Sequence, residues 1–152
     1  MQPGSAAPEF RLPLLGGGEA SLGELTAPGP VLLAFFKVSC PVCQLTLPFL
    51  ERIHAGGGLR VYGVSQNDAK STAAFHREYG VTFPTLLDPE SSFPASNGFQ
   101  ITHVPTLFQV EPGGAISWRL DGWSKRDIGE LGARAGVNPF REGDAVPEWK
   151  AG

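Results

Sequence analysis

Val31-Leu-Leu-Ala-Phe-Phe-Lys37 leads through Val38-Ser39 into Cys40-Pro41-Val42-Cys43. The β-branched and aromatic residues of the run favour a buried strand. Gln44-Leu-Thr-Leu-Pro-Phe-Leu-Glu-Arg-Ile53 follows and reads as a helix. Proline suits the first helical position, where its missing N–H costs nothing, so Pro41 sets Cys40 at the N-cap. Cys43 then lies one turn further in. The positive end of the helix macrodipole favours a thiolate at Cys40. Two cysteines separated by two residues can close a disulfide across one turn. A strand, a Cys-x-x-Cys pair and a helix in succession point to thiol–disulfide exchange.

The rest of the chain sets bounds on that reading. Its 152 residues make one domain, with a core expected over about 6–135 and a C-terminal tail over 137–152. The formal net charge of -3 gives no case for nucleic acid or an anionic membrane. Both of the chain's 2 cysteines lie in the motif, which leaves none for a structural disulfide framework. Met1–Phe10 has neither a basic region nor an apolar one, so no signal peptide is read there. No apolar run reaches membrane-spanning length. The expectation is a cytoplasmic protein; a periplasmic or exported one is the alternative if a leader has been removed.

Taken in order, the chain alternates strands and helices. Phe10–Leu15 and Glu19–Leu22 read as short strands around Gly16-Gly17-Gly18, and Ser21 as the cap of a brief helical turn. Leu59–Val64 is a second buried strand. Asp68 caps a helix over about 69–79 whose apolar residues are Ala73, Ala74, Phe75 and Tyr79. Thr82–Asp88 holds a short strand, and 90–98 a short helix. Leu107–Val110 and Ala115–Leu120 flank Pro112-Gly113-Gly114 as a hairpin, and Ser124 caps a last helix over about 125–135. Phe140 and Trp149 are the tail residues expected to dock. Strands alternating with helices imply parallel, right-handed crossovers, closed here by a hairpin and a helix.

With these elements in place the chain resembles the thioredoxin fold. Within it, the resemblance is to redoxins of the TlpA and ResA kind, in the AhpC/TSA superfamily. Phe35-Phe36 before Cys40-Pro41-Val42-Cys43, Pro48 five residues after the second cysteine, and Val104-Pro105-Thr106 carry the likeness. Ala7-Pro8-Glu9-Phe10 and the stretch from Glu78 to Asp88 are redoxin-like additions. The resemblance implies an α/β thioredoxin-like fold, a central mixed β-sheet flanked by helices, with an N-terminal extension and a βα insertion. It implies a cis bond before Pro105. It also implies substrate docking by Pro41, Val42, Val104, Pro105 and Thr106, with the backbone before the proline pairing to substrate as a strand would.

The departures are as informative. Many thioredoxins carry a buried Asp where this chain has Ala34, and ResA-like proteins often carry a Glu where it has Thr46. The carboxylate that moves a proton at the buried thiol is absent from both places. Lys37 stands three residues before Cys40 and either tunes its pKa or snorkels at the surface. Gln66 and Asp68 end the neighbouring strand and could lend polar help. Zinc would need two more ligands, and His54, His76 and His103 are single and badly spaced for it. No metal or other cofactor is implied. A peroxiredoxin-like reading makes Cys43 peroxidatic, but the threonine position then falls on Cys40 and the arginine position near Pro105. Without those donors peroxide is poorly held.

The expected activity is thiol–disulfide exchange in the reducing direction, with Cys40 attacking and Cys43 resolving. Its partners are protein disulfides or dithiols and a reductant, acting on a monomer or weak dimer. A redox-inert interaction module using the same groove is the alternative outside enzymology.

Overall fold

The computed structural model describes residues 1–152. The chain begins with a hairpin of β1 (Arg11–Pro13) and β2 (Glu19–Ser21), a sheet of its own. Gly16, Gly17 and Gly18 turn it, all at positive φ, a run of backbone that glycine alone adopts cheaply. Pro13 pairs with Glu19 here, so its missing donor does not interrupt the main sheet. α1 (Leu22–Thr26) follows with a complete capping box. The Glu24 N–H donates to Ser21 Oγ at 3.2 Å, and the Ser21 N–H donates to Glu24 Oε1 at 3.3 Å.

The main body runs β3 (Val31–Phe36), α2 (Pro41–Ala55), β4 (Arg60–Ser65), α3 (Ala69–Tyr79), β5 (Thr85–Leu87), α4 (Pro94–Gly98), β6 (Thr106–Val110) and β7 (Ile116–Asp121). Its five-stranded sheet has the order β5-β4-β3-β6-β7. β3 pairs parallel with β4, and β4 with β5; β6 is antiparallel to both β3 and β7. This is the mixed, helix-flanked sheet expected for the fold. Every residue of β3 is fully buried, as its unbroken apolar run demands for a central strand covered on both faces. The strand is thus a rigid base from which Cys40 is presented four residues later.

One helix face differs from its expected pattern. In α3, Ala74 is exposed while Thr72 is buried with Phe75. Thr72 Oγ1 lies 2.7 Å from Ser65 Oγ and donates to the Asp68 carbonyl at 2.7 Å, so its hydroxyl is satisfied inside. Apolar character alone put the wrong residue on the buried face.

β8 (Trp123–Ser124), α5 (Lys125–Arg134) and β9 (Trp149–Lys150) complete the chain. The C-terminal tail is bonded to the body at several points. Phe140 packs on Phe49 and Trp123, with ring centroids 5.4 and 6.3 Å apart. Arg52 donates to the Pro139 carbonyl at 2.9 Å and pairs with Asp144 at 2.7 Å. Buried Trp123 donates its Nε1–H to the Pro147 carbonyl at 2.6 Å. Trp149, however, does not dock: it is 65% exposed, and only its backbone is used, in pairing with β8.

Candidate active site

Cys40 is the N-cap of α2 and Pro41 its first residue, as the motif predicts. The loop leading there is held by two side chains outside the motif. The Val38 N–H donates to Asn67 Oδ1 at 2.9 Å, and Gln44 Nε2 donates to the Val38 carbonyl at 3.0 Å. Neither residue stood out in the sequence. Asn67 follows β4, so only the strand pairing shows that it faces this loop.

The two cysteines occupy different environments. Cys40 is partly exposed and Cys43 is fully buried; both are free thiols. The Cys43 N–H donates to Cys40 Sγ at 3.1 Å. A hydrogen bond from the Cys43 thiol stabilises the Cys40 thiolate most, and the N–H groups of Cys43 and Val42 add to it. The charge of Lys37 contributes least of these. Against partial burial, they bring the Cys40 thiol down to about 6. Burial first, and then its hydrogen bond to Cys40, push the Cys43 thiol far up. The pair therefore holds one thiolate and one protonated thiol at neutral pH.

The Val104–Pro105 peptide is cis. The Val104 carbonyl lies 3.5 Å from Cys40 Sγ, which donates to it when protonated. Val104 precedes β6, and neither its N–H nor its carbonyl joins a backbone hydrogen bond. Pro41 is exposed and Val42 half-buried beside Cys40. Thr106 is different: it is 1% exposed, and its hydroxyl donates to the His103 carbonyl at 2.8 Å. Its side chain braces the loop from inside, because a buried hydroxyl needs a partner.

Asp68 is turned away as well. Its carboxylate accepts from the Ser71 N–H at 2.8 Å and caps α3. Gln66 stays near: it lines a cavity of about 190 Å³ together with Lys37, Ser96, His103 and Val104. Its Nε2 donates to Ser96 Oγ at 2.8 Å. The positions of the two missing acids are Ala34, fully buried, and Thr46, whose hydroxyl donates to the Val42 carbonyl at 2.7 Å. On the far side of the loop, His103 Nε2 lies 3.3 Å from Asp121 Oδ2. Hydrogen bonds from Arg119, then its charge and His103, hold the Asp121 carboxyl below the usual range against burial. No three His, Cys, Asp or Glu side chains are grouped to hold a metal ion, and no helix is long and apolar enough to cross a membrane.

Comparison with known proteins places the chain in a family. The chain is 27% identical over 117 residues to the thiol-disulfide oxidoreductase ResA of Bacillus subtilis, covering 74% of this chain. It spans 64% of the length of ResA. The thioredoxin domain of a thiol-disulfide oxidoreductase from Bacteroides vulgatus superimposes with a TM-score of 0.76 at 22% identity, covering 91% of this chain and 99% of that one. Peroxidoxin BcpB from Mycobacterium tuberculosis shares the fold too, with a TM-score of 0.74 at 18% identity over 90% of this chain and 97% of its own. Residues 3–119 match the AhpC/TSA family, and with that match over most of its length the chain, a thioredoxin-fold protein, belongs to it.

Proposed function

We propose that this protein is a thiol–disulfide oxidoreductase that reduces disulfides in protein substrates. The observation that carries the reading is the asymmetry of the pair: a thiolate at a partly exposed helix N-cap and a protonated thiol buried one turn inside. Cys40 Sγ⁻ attacks one sulfur of the substrate disulfide, and the other substrate sulfur leaves as a thiolate. A mixed disulfide now joins Cys40 to substrate. Cys43 loses its proton and attacks Cys40 Sγ, which releases the second substrate thiolate and leaves the Cys40–Cys43 disulfide. Two electrons have passed from the dithiol to the substrate. A dithiol reductant resets the pair by the reverse steps. The N–H and carbonyl of Val104, which join no backbone hydrogen bond, support docking of an extended chain beside Cys40.

Cys43→Ser tests the scheme. It keeps the attacking thiolate and removes the resolving one, so a mixed disulfide to substrate should accumulate at Cys40. Attachment through residue 40 supports the roles; no trapped species with any disulfide counts against them.

The peroxidatic alternative puts the reacting thiolate at Cys43. Full burial and an elevated thiol pKa oppose that assignment. The compartment follows the same equilibrium. A low potential suits a reducing cytoplasm, and a high one an exported oxidant.

A further inference from the structure

The chain supplies its own covering segment for the edge at Val104. β9 lies along β8, with Trp123 opposite Lys150 and Ser124 opposite Trp149. The Lys125 N–H donates to the Glu148 carbonyl at 2.9 Å and fixes the approach. The segment then crosses Gly122, whose φ is +72°. A Cβ there would stand 2.4 Å from the Lys150 carbonyl oxygen and 2.8 Å from Gly152 N, so only glycine lets the crossing happen. The Gly122 N–H in turn donates to the Pro105 carbonyl at 2.8 Å. The crossing brings Gly152 to the docking edge itself. A Cβ built on Gly152 would lie 2.8 Å from the Val104 carbonyl oxygen and 2.9 Å from His103 Cδ2. That same oxygen is the one 3.5 Å from Cys40 Sγ.

We propose that residues 149–152 form a strap that competes with substrate for the Val104 edge and moves aside before an extended polypeptide pairs there. The proposal rests on the exchange reading above. β9 is two exposed residues on a two-residue partner, a pairing too short to be stable alone. The anchors upstream, Phe140 on Phe49, Arg52 with Asp144 and Trp123 with Pro147, do not depend on it. The strap can therefore lift without opening the fold. While it is down, a peptide that needs Val104 binds only the lifted fraction, and its apparent affinity falls accordingly. A small disulfide that needs only Cys40 is not held back.

Two variants test this: a chain ending at Pro147, and Gly152→Ala, which puts a methyl group against the Val104 carbonyl at an exposed position. Reaction rates of the reduced proteins are measured with a disulfide-linked peptide and with a small aromatic disulfide. The truncation should raise the peptide rate several-fold and leave the small-disulfide rate unchanged. Gly152→Ala should move the peptide rate the same way by less, and it decides the matter if the truncated chain fails to fold. Peptide rates equal to the parent's overturn the proposal. So does a lower peptide rate, which would make the strap part of the binding surface, or a rise shared by both disulfides, which would make it a shield over Cys40. Failure of the exchange reading looks different: neither disulfide reacts at Cys40 in any form, and the strap proposal falls with it.

Discussion

The Cys43 backbone N–H points at Cys40 Sγ from 3.1 Å, so the helix that buries one cysteine also solvates the other as a thiolate. The first turn of α2 leaves its N–H groups without helical partners. Here they are directed at a sulfur, and the Cys43 thiol adds a further donor. Burial of one residue and activation of its neighbour are a single arrangement.

Alkylation should therefore select Cys40. With the reduced protein, the rate of modification should rise with pH through a midpoint of about 6 and level off above it. Mass mapping locates the adduct. Modification of Cys43 first, or a midpoint near the ordinary thiol value of about 8.5, would contradict the site's electrostatics.

The same shift links stability to pH. Cys40 ionises near 6 when folded and near 8.5 when unfolded. Between those values the unfolded chain holds more protons, so this residue makes the reduced protein more stable as pH rises. The contribution is complete above about 8.5 and is lost as pH falls through about 6. Cys43 has the opposite sign. Its thiol stays protonated when folded but ionises when unfolded, so it subtracts stability above about 8.5. Denaturant titrations of the reduced parent and Cys40→Ser at several pH values check this. The parent should gain on the variant from about 6 to 8.5; a pH-independent difference would refute the assignment.

Much of this site was legible because it is local. The strand, the N-cap, Pro41 and the cysteine spacing lie in consecutive residues, and each obeys a short-range rule. Gly80 ends α3 in the left-handed conformation, and Ser21, Asp68 and Ser124 cap their helices for the same kind of reason. The structure also bears out the cis bond at Pro105, which came from the family likeness and not from any local rule. Asn67 and Asp121 are not legible because their roles arise from strand order, which no local pattern states, whereas Gln44 reaches Val38, only six residues earlier, through a loop shape the motif does not spell out. The burial of the Thr106 hydroxyl has a related cause. The residue's place next to Pro105 was clear, but the side of the sheet its hydroxyl took was not. The docking of Phe140 agrees with the expectation for the tail, but its other contacts are not legible, because a polar, proline-punctuated segment has no periodicity of its own. It is ordered by partners such as Arg52 and Trp123, which lie far away in sequence.

Those partners make the tail a contributor to stability. Asp144 accepts from both Arg52 and the Arg141 N–H at 2.7 Å, and the Arg52 guanidinium also stacks on Phe49 at 4.7 Å. Asp144→Asn keeps the shape and removes the charge. It should lower stability measurably but modestly, because solvent screens a pair at the surface. Thermal or denaturant unfolding at neutral pH measures it, and no change would mean that the tail rides on the body without stabilising it.

Hydrogen peroxide should oxidise the reduced protein no faster than it does an ordinary thiolate. The threonine position of the peroxidatic motif is Cys40 and its arginine position falls near Pro105, and the Cys43 thiol stays protonated. Stopped-flow rates decide this. A rate several decades higher would restore the peroxidatic reading.

The central claim is that Cys40 and Cys43 form a reversible, reducing redox couple. A thiol of about 6 stabilises the reduced form modestly: thioredoxin, near 7, sits at about −270 mV, and a strong oxidant near 3.5 sits at about −120 mV. Equilibration against glutathione buffers, with the Cys40–Cys43 disulfide quantified by mass, measures the couple directly. The account predicts a two-electron transition on the order of −200 to −270 mV. A transition above roughly −150 mV, or no intramolecular disulfide at any glutathione ratio, would contradict it.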